Sequence, residues 1–192
     1  KLDEEDNFEF NPDRIKEAIT KKTKVIIINT PGNPTGTVLS KKVLEEIAGI
    51  AVEKDVYVFS DEAYERLVYG KKHISIGSLN GMEDYVATFH TFSKSYAMAG
   101  FRVGYVSGPE QLINAIIKSK HYMSIAPPNL SQLLALKALT ISNSYITNMV
   151  KEYNKRRLYI VKRLNSLGLK TVMPYGAFYA FSNVKHLTSN TL

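Results

Sequence analysis

The chain has 192 residues, 44% apolar and 22% charged, which is the balance of an ordinary globular protein long enough for one domain and part of a second. No apolar run can span a bilayer, no charged-then-apolar leader opens the chain, and zero cysteines exclude disulfides and thiolate metal sites. The absence of cysteine fits a reducing, cytoplasmic setting. The net charge of +7 raises a polyanion as partner, but the lysines are scattered in pairs such as Lys21 and Lys22 or Lys71 and Lys72. They read as solvated surface, so neither nucleic acid nor a membrane is expected as partner. The opening Lys1-Leu2-Asp3-Glu4-Glu5, without an initiating Met, reads as mid-protein sequence.

Asn11-Pro12-Asp13 predicts a short helix, with Asn11 as cap, Pro12 at the first helical position, and Ile15 and Ala18 facing in. Lys24 to Asn29 is a β-branched run expected as a strand buried on both faces. It ends in Thr30-Pro31-Gly32-Asn33-Pro34-Thr35-Gly36, too rich in Pro and Gly for a regular element. Ser40 then caps a helix to about Lys54, with Leu39 and Leu44 spaced as a hydrophobic staple. Val56 to Asp61 and Tyr85 to Phe89 predict two more buried strands, and Phe101 to Val106 a fourth, alternating and nearer an edge.

Pro109 opens the next helix, with Leu112, Ile113, Ile116 and Ile117 facing in. After Met123 the chain changes character. Ala126-Pro127-Pro128 is a break, and Asn129 or Ser131 can cap a helix to about Ile141. A long amphipathic helix from about Tyr145 to Leu167 holds the one dense basic patch, Lys151 to Arg163. Its inner face is read as Ile146, Met149, Val150, Tyr153, Ile160, Val161 and Leu164, and Gly168 closes it. Lys170 to Met173 and Ala177 to Phe181 read as two strands around the turn Pro174-Tyr175-Gly176.

Strands alternating with helices indicate an α/β fold: a three-layer, mostly parallel sheet with helices on both faces, followed by the start of a smaller α+β domain. The boundary is placed between residues 1–143 and 144–192. Ligands of such sheets bind outside the carboxyl ends of the strands, and the polar candidates fall there. Asn33 follows the first strand, Asp61 ends the second, and Thr91, Ser93 and Lys94 follow the third. A lysine just past a buried strand can be desolvated and made nucleophilic. Hydroxyls at Thr91 and Ser93, with the Arg102 guanidinium, can hold a phosphate. Together these residues suggest a phosphorylated cofactor held covalently by Lys94. Asp61 and Glu62 are adjacent carboxylates, but with no histidine near them in sequence and opposite strand faces, no metal is expected. Gly100 and Gly104 are read as sites of close backbone packing.

The ordered set Asn33-Pro34-Thr35-Gly36, Asp61-Glu62-Ala63-Tyr64, Thr91-Phe92-Ser93-Lys94 and Gly100-Phe101-Arg102-Val103-Gly104-Tyr105 resembles the class I and II aminotransferases. These are pyridoxal-phosphate enzymes of fold type I. Pro174-Tyr175-Gly176-Ala177-Phe178-Tyr179 is similar to that family's small-domain turn and strand. The resemblance implies that residues 1–143 are the latter part of the cofactor-binding large domain and 144–192 the start of the small one.

It further implies that Lys94 forms the internal aldimine with the cofactor and later carries the substrate's α-proton. Asp61, expected to be buried, pairs with the pyridine nitrogen, so the ring can accept electrons. Asn33 and Tyr64 bond the ring's phenolic oxygen. Arg102, Ser93 and Thr91 bind the phosphate, Thr91 standing where many relatives have Ser. The family implies a homodimer acting on an amino acid and a 2-oxo acid. It also implies further parts that this chain does not show: an upstream phosphate-binding helix start, an aromatic residue stacked on the cofactor ring, and an arginine for the substrate carboxylate. The segment alone is therefore not expected to be competent. A carbon–sulfur β-lyase shares the same residues, and a regulator with an aminotransferase-like domain is a third reading.

Overall fold

The computed structural model describes residues 2–187. Helix α1 (Pro12–Ala18) starts as its cap predicts, with Asn11 Oδ1 accepting from the backbone N–H groups of Asp13 and Arg14. Strand β1 (Val25–Asn29) leads through the Pro- and Gly-rich loop to α2 (Lys41–Lys54), capped by Ser40. Leu39 and Leu44 are both buried, as the staple requires. Strands β2 (Tyr57–Asp61) and β3 (Val86–Thr91) follow, and β3 runs directly into a single-turn helix, α3 (Phe92–Ser95). Strand β4 (Gly104–Ser107) is shorter than expected because residues 99–101 form a 3-10 turn and Arg102 takes a left-handed φ of 52°.

The sheet order is β1-β2-β3-β4, with β1, β2 and β3 parallel and β4 antiparallel at one edge. The expected mostly parallel sheet is present. Its register sets Asn29 beside Asp61 and Asp61 beside Phe89, so three carboxyl ends lie side by side. One face is packed by α2, where Leu44, Ile47, Ile50 and Ala51 meet Ile26, Ile28, Val58, Ile76 and Val86. This dry layer drives the fold, since each such side chain contributes about 1.5–3 kcal/mol on burial. The other face is less covered: β1 is an edge strand and its Ile27 is 73% exposed. Burial of β1 on both faces is thus corrected to one face.

Helices α4 (Glu110–Met123), α5 (Asn129–Leu139) and α6 (Asn143–Ser166) follow the sheet. None of the four apolar residues expected to face in from α4 is buried, and Ile117 is 57% exposed. Neither Asn129 nor Ser131 caps α5; Pro128 precedes its first residue, Asn129. Helix α6 ends at the left-handed Gly168 (φ 81°) as predicted, but of its expected inner face only Ile146 and Val161 are buried.

The two strands expected at 170–173 and 177–181 are absent, replaced by the single bridges Val68–Gly176 and Thr171–Ser182. The cause is where the backbone donors go. The turn's Tyr175 and Gly176 N–H groups bond to Gly36 O and the Ala177 N–H to Leu67 O, which ties the start of the second segment to other parts of the chain. This leaves the Thr171–Ser182 bridge, with the Asn183 N–H donating to Lys170 O, as the link between the two. Gly104 packs tightly, since a Cβ there would lie 2.5 Å from His90 O, whereas Gly100 has open space around it. The close-packing expectation therefore fails for Gly100. Residues 188–192, part of the expected second domain, lie outside the described residues.

Candidate active site

The ends of β1 and β2 are stitched together by Asn29 and Thr30. Asn29 Nδ2 and the Thr30 N–H both donate to Asp61 O, at 3.2 and 3.1 Å. Asn29 Oδ1 in turn accepts from the Asn33 N–H at 2.6 Å, which places the exposed Asn33 at the same sheet edge. Asp61, the last residue of β2, is exposed in this chain, with Oδ1 accepting from the Ala63 N–H at 3.1 Å. The expected burial of Asp61 is corrected: the carboxylate lies at the open carboxyl end of the sheet, where no described side chain closes over it.

The buried acid is its neighbour. Glu62 is 1% exposed, and Oε1 accepts from Ser60 Oγ at 2.9 Å and Ser75 Oγ at 2.7 Å, while Oε2 lies 2.7 Å from His73 Nε2. Burial raises its pKa, but the His73 contact and charge and the two hydroxyls outweigh burial and leave it below the usual carboxylate range.

Tyr64 is 4% exposed. Its hydroxyl is hydrogen-bonded to the Tyr179 hydroxyl, and its ring meets Phe178 edge-on at 5.3 Å. Burial first, then Tyr179 and the charge of Asp61, raise the Tyr64 pKa above the ordinary phenol value. Lys94, in α3, brings Nζ to 5.5 Å from the Tyr64 ring centre and 5.2 Å from that of Phe178. It is half-buried, so the desolvation expected of it is partial.

Thr91 ends β3 and caps α3, its Oγ1 accepting from the Ser93 N–H at 3.1 Å. A hydroxyl that accepts in this way still has its own proton to donate. Ser93 is half-buried beside it. Arg102 is exposed two residues before Gly104, which pairs with Thr91; its Nη1 donates to Ala99 O at 2.9 Å. The chain thus gathers Lys94, Tyr64 and Asp61 at the ends of β2 and β3, with Asn33 on one flank and Thr91, Ser93 and Arg102 on the other. Among the described residues, the only direct hydrogen bond within these seven joins Thr91 and Ser93.

Sequence reasoning passed over Phe178 and Tyr179, which arrive from 115 residues beyond Tyr64. The signal was an aromatic pair one residue after a Pro-Tyr-Gly turn. It also took Glu62 to lack a histidine. His73 and His90 both reach it: Glu62, Glu65 and His90 can bring one ligand atom each within 4.8 Å. Both Glu62 oxygens already have partners, so this cluster reads as a structural network rather than a metal centre. A groove of about 520 Å³ beside α6 meets the site only through Phe178 and Tyr179, which line it with Tyr153 and Arg157.

A strand-end lysine stands here near a phenol, a carboxylate, two hydroxyls and a guanidinium. The family model for aminotransferase class I and II matches residues 1–192, and the chain belongs to that family, whose members are pyridoxal-phosphate enzymes. It is 48% identical over 185 residues to an aspartate aminotransferase of Pyrococcus abyssi, covering 95% of this chain and 48% of that protein. It is 45% identical over 185 residues to aromatic-amino-acid aminotransferase 2 of Thermococcus litoralis, covering 95% and 48% respectively. The crystal structure of an aromatic aminotransferase from Pyrococcus horikoshii superimposes with a TM-score of 0.91 at 45% identity, over 96% of this chain and 50% of that one. The chain spans about half the length of the relatives it matches. Among the described residues no helix is long and apolar enough to cross a membrane.

Proposed function

We propose that the chain is the cofactor-holding part of a pyridoxal-phosphate aminotransferase that moves an amino group from an L-amino acid to a 2-oxo acid. The observation that carries this reading is the position of the Lys94 amine against Tyr64, beside Asp61, at the carboxyl ends of β2 and β3. The donor set fits the cofactor in number and kind: an amine for its aldehyde, a carboxylate for its ring nitrogen, an amide and a phenol for its ring oxygen, and two hydroxyls and a guanidinium for its phosphate. When bound, the cofactor supplies an electron sink for the substrate's α-carbon.

The residues do the rest. Lys94 holds the cofactor covalently and, once displaced, carries the proton that leaves the α-carbon. Asp61 keeps a proton on the ring nitrogen through its negative charge. Asn33 and Tyr64 orient the ring through its phenolic oxygen. Thr91, Ser93 and Arg102 anchor the phosphate, Arg102 with donors beyond the one given to Ala99.

Residues 1–143 form the latter part of the large domain and 144–192 the start of the small one. The competent unit is a full-length cytoplasmic homodimer. The apolar surface left bare here supports cover from more protein: Ile27, Tyr122, Met123, Leu133 and Leu136 are each more than 60% exposed. Full-length protein given an amino acid, 2-oxoglutarate and the cofactor should form glutamate. Release of pyruvate and ammonia from cysteine conjugates, without amino transfer, would contradict the reading and favour a β-lyase.

A further inference from the structure

Tyr64 and Tyr179 share one hydrogen bond between their hydroxyls, and either can be its donor. Two phenols carry two protons, so one proton forms the link and the other points away from the pair. If Tyr64 donates, the outward proton belongs to Tyr179; if Tyr179 donates, it belongs to Tyr64. Backbone contacts hold the two phenols together. The Leu67 N–H donates to Tyr64 O at 2.8 Å, and Leu67 O accepts from the Ala177 N–H at 2.9 Å. Tyr69 Oη donates to Ala177 O at 2.7 Å, and Phe178 stacks on Tyr153 at 5.5 Å. Tyr179 is thereby delivered to Tyr64 by a segment tied at Ala177 and Phe178, the two residues before it.

We propose that Tyr179 is a positioning residue for Tyr64: its hydroxyl donates to the Tyr64 oxygen and so directs the Tyr64 proton to the phenolic oxygen of bound pyridoxal phosphate. The inference rests on the reading of Tyr64 given above. An anionic oxygen in front of Tyr64 selects the arrangement in which Tyr64 donates outward, and Tyr179 is then the donor behind it. Hydrogen bonds in such a chain polarise one another, by about 10–30% per bond. The pair therefore neutralises more of the phenolate charge than Tyr64 alone. That charge favours a proton on the nitrogen joining Lys94 to the cofactor. Weakening either donor should raise the pH at which that proton leaves.

The test is the pH midpoint of the cofactor's visible absorption band in full-length protein, measured for wild type, Tyr64→Phe, Tyr179→Phe and the double variant. Phenylalanine keeps each ring and its packing. Tyr64→Phe should raise the midpoint by about 1 pH unit or more. Tyr179→Phe should raise it by about 0.3 unit, and the double variant should match Tyr64→Phe, because Tyr179 acts only through Tyr64. An unmoved midpoint in Tyr64→Phe would overturn the ring-oxygen reading and the inference with it. A shift in Tyr64→Phe with none in Tyr179→Phe, or additive shifts in the double variant, would overturn the inference alone.

Discussion

Glu62 shows how one buried residue holds the site's frame. It sits between Asp61 and Ala63, and its carboxylate gathers Ser60, His73 and Ser75 from the strand and from the following loop. Truncation to alanine leaves all three partners unpaired and should cost about 3 kcal/mol, read as a lowered denaturant midpoint in full-length protein. Its folded pKa is depressed, so its stabilisation is present above the ordinary carboxylate pKa and lost as pH falls through the lower folded value. Glu62→Gln should flatten that acid limb in a series of urea melts below pH 5. His90 has the opposite sign. Glu65 Oε2 lies 3.2 Å from His90 Nδ1, off the line of a good hydrogen bond but close enough for an ion pair. The carboxylate raises the His90 pKa against the lowering effect of burial. That contribution is full below the ordinary imidazole pKa and fades as pH rises through the folded value; Glu65→Gln should remove this alkaline-side loss in urea melts carried upward from about pH 6.

At the scale of elements, the contact that matters most is between the Asn33 loop and the turn at 174–176. Gly36 has φ 67°, and a Cβ there would lie 2.2 Å from Pro174 Cβ, while its carbonyl accepts from both Tyr175 and Gly176. Gly36→Ala therefore combines left-handed strain with a clash and should cost about 2–4 kcal/mol, seen as a lowered thermal midpoint. It should also disturb the cofactor's absorption, because Tyr179 follows that turn. This contact was not legible in the sequence, since nothing local to Gly36 points to residue 174. What was legible depended on local chemistry. The Asn11 and Ser40 caps, the buried face of α2 and the run of β1 are written in adjacent residues, as are Asn33, Asp61, Thr91, Ser93 and Lys94 at three strand ends, whereas Arg102, read as part of the fourth strand, stands two residues before it. The misses share a non-local cause. Periodicity marked α4 and α6 as amphipathic but did not say what lies against them, and the 177–181 run looked like a strand although its first donor, the Ala177 N–H, goes to Leu67 O.

For the whole molecule, the apolar faces set the unit that can function. Helix α5 exposes Leu130, Leu133, Leu136 and Leu139, each above half of its area, beside Tyr122, Met123 and Ile125. Patches of this kind on a chain in water mark surfaces meant to be covered. The segment 1–192 by itself should bind a hydrophobic dye and self-associate in sedimentation, whereas a longer protein that covers these faces, as proposed above, should bind the dye less. Equal dye binding by the two would contradict that expectation. The proposed chemistry depends on Lys94, whose amine is set against Tyr64 and Phe178 just past the end of β3. The most direct measurement is borohydride reduction of the full-length, cofactor-loaded protein, followed by peptide mapping. Fixed cofactor on the peptide carrying Lys94, and its loss in Lys94→Ala, is the predicted result. A reduced adduct on another lysine, or a Lys94→Ala protein that still turns over, would contradict it.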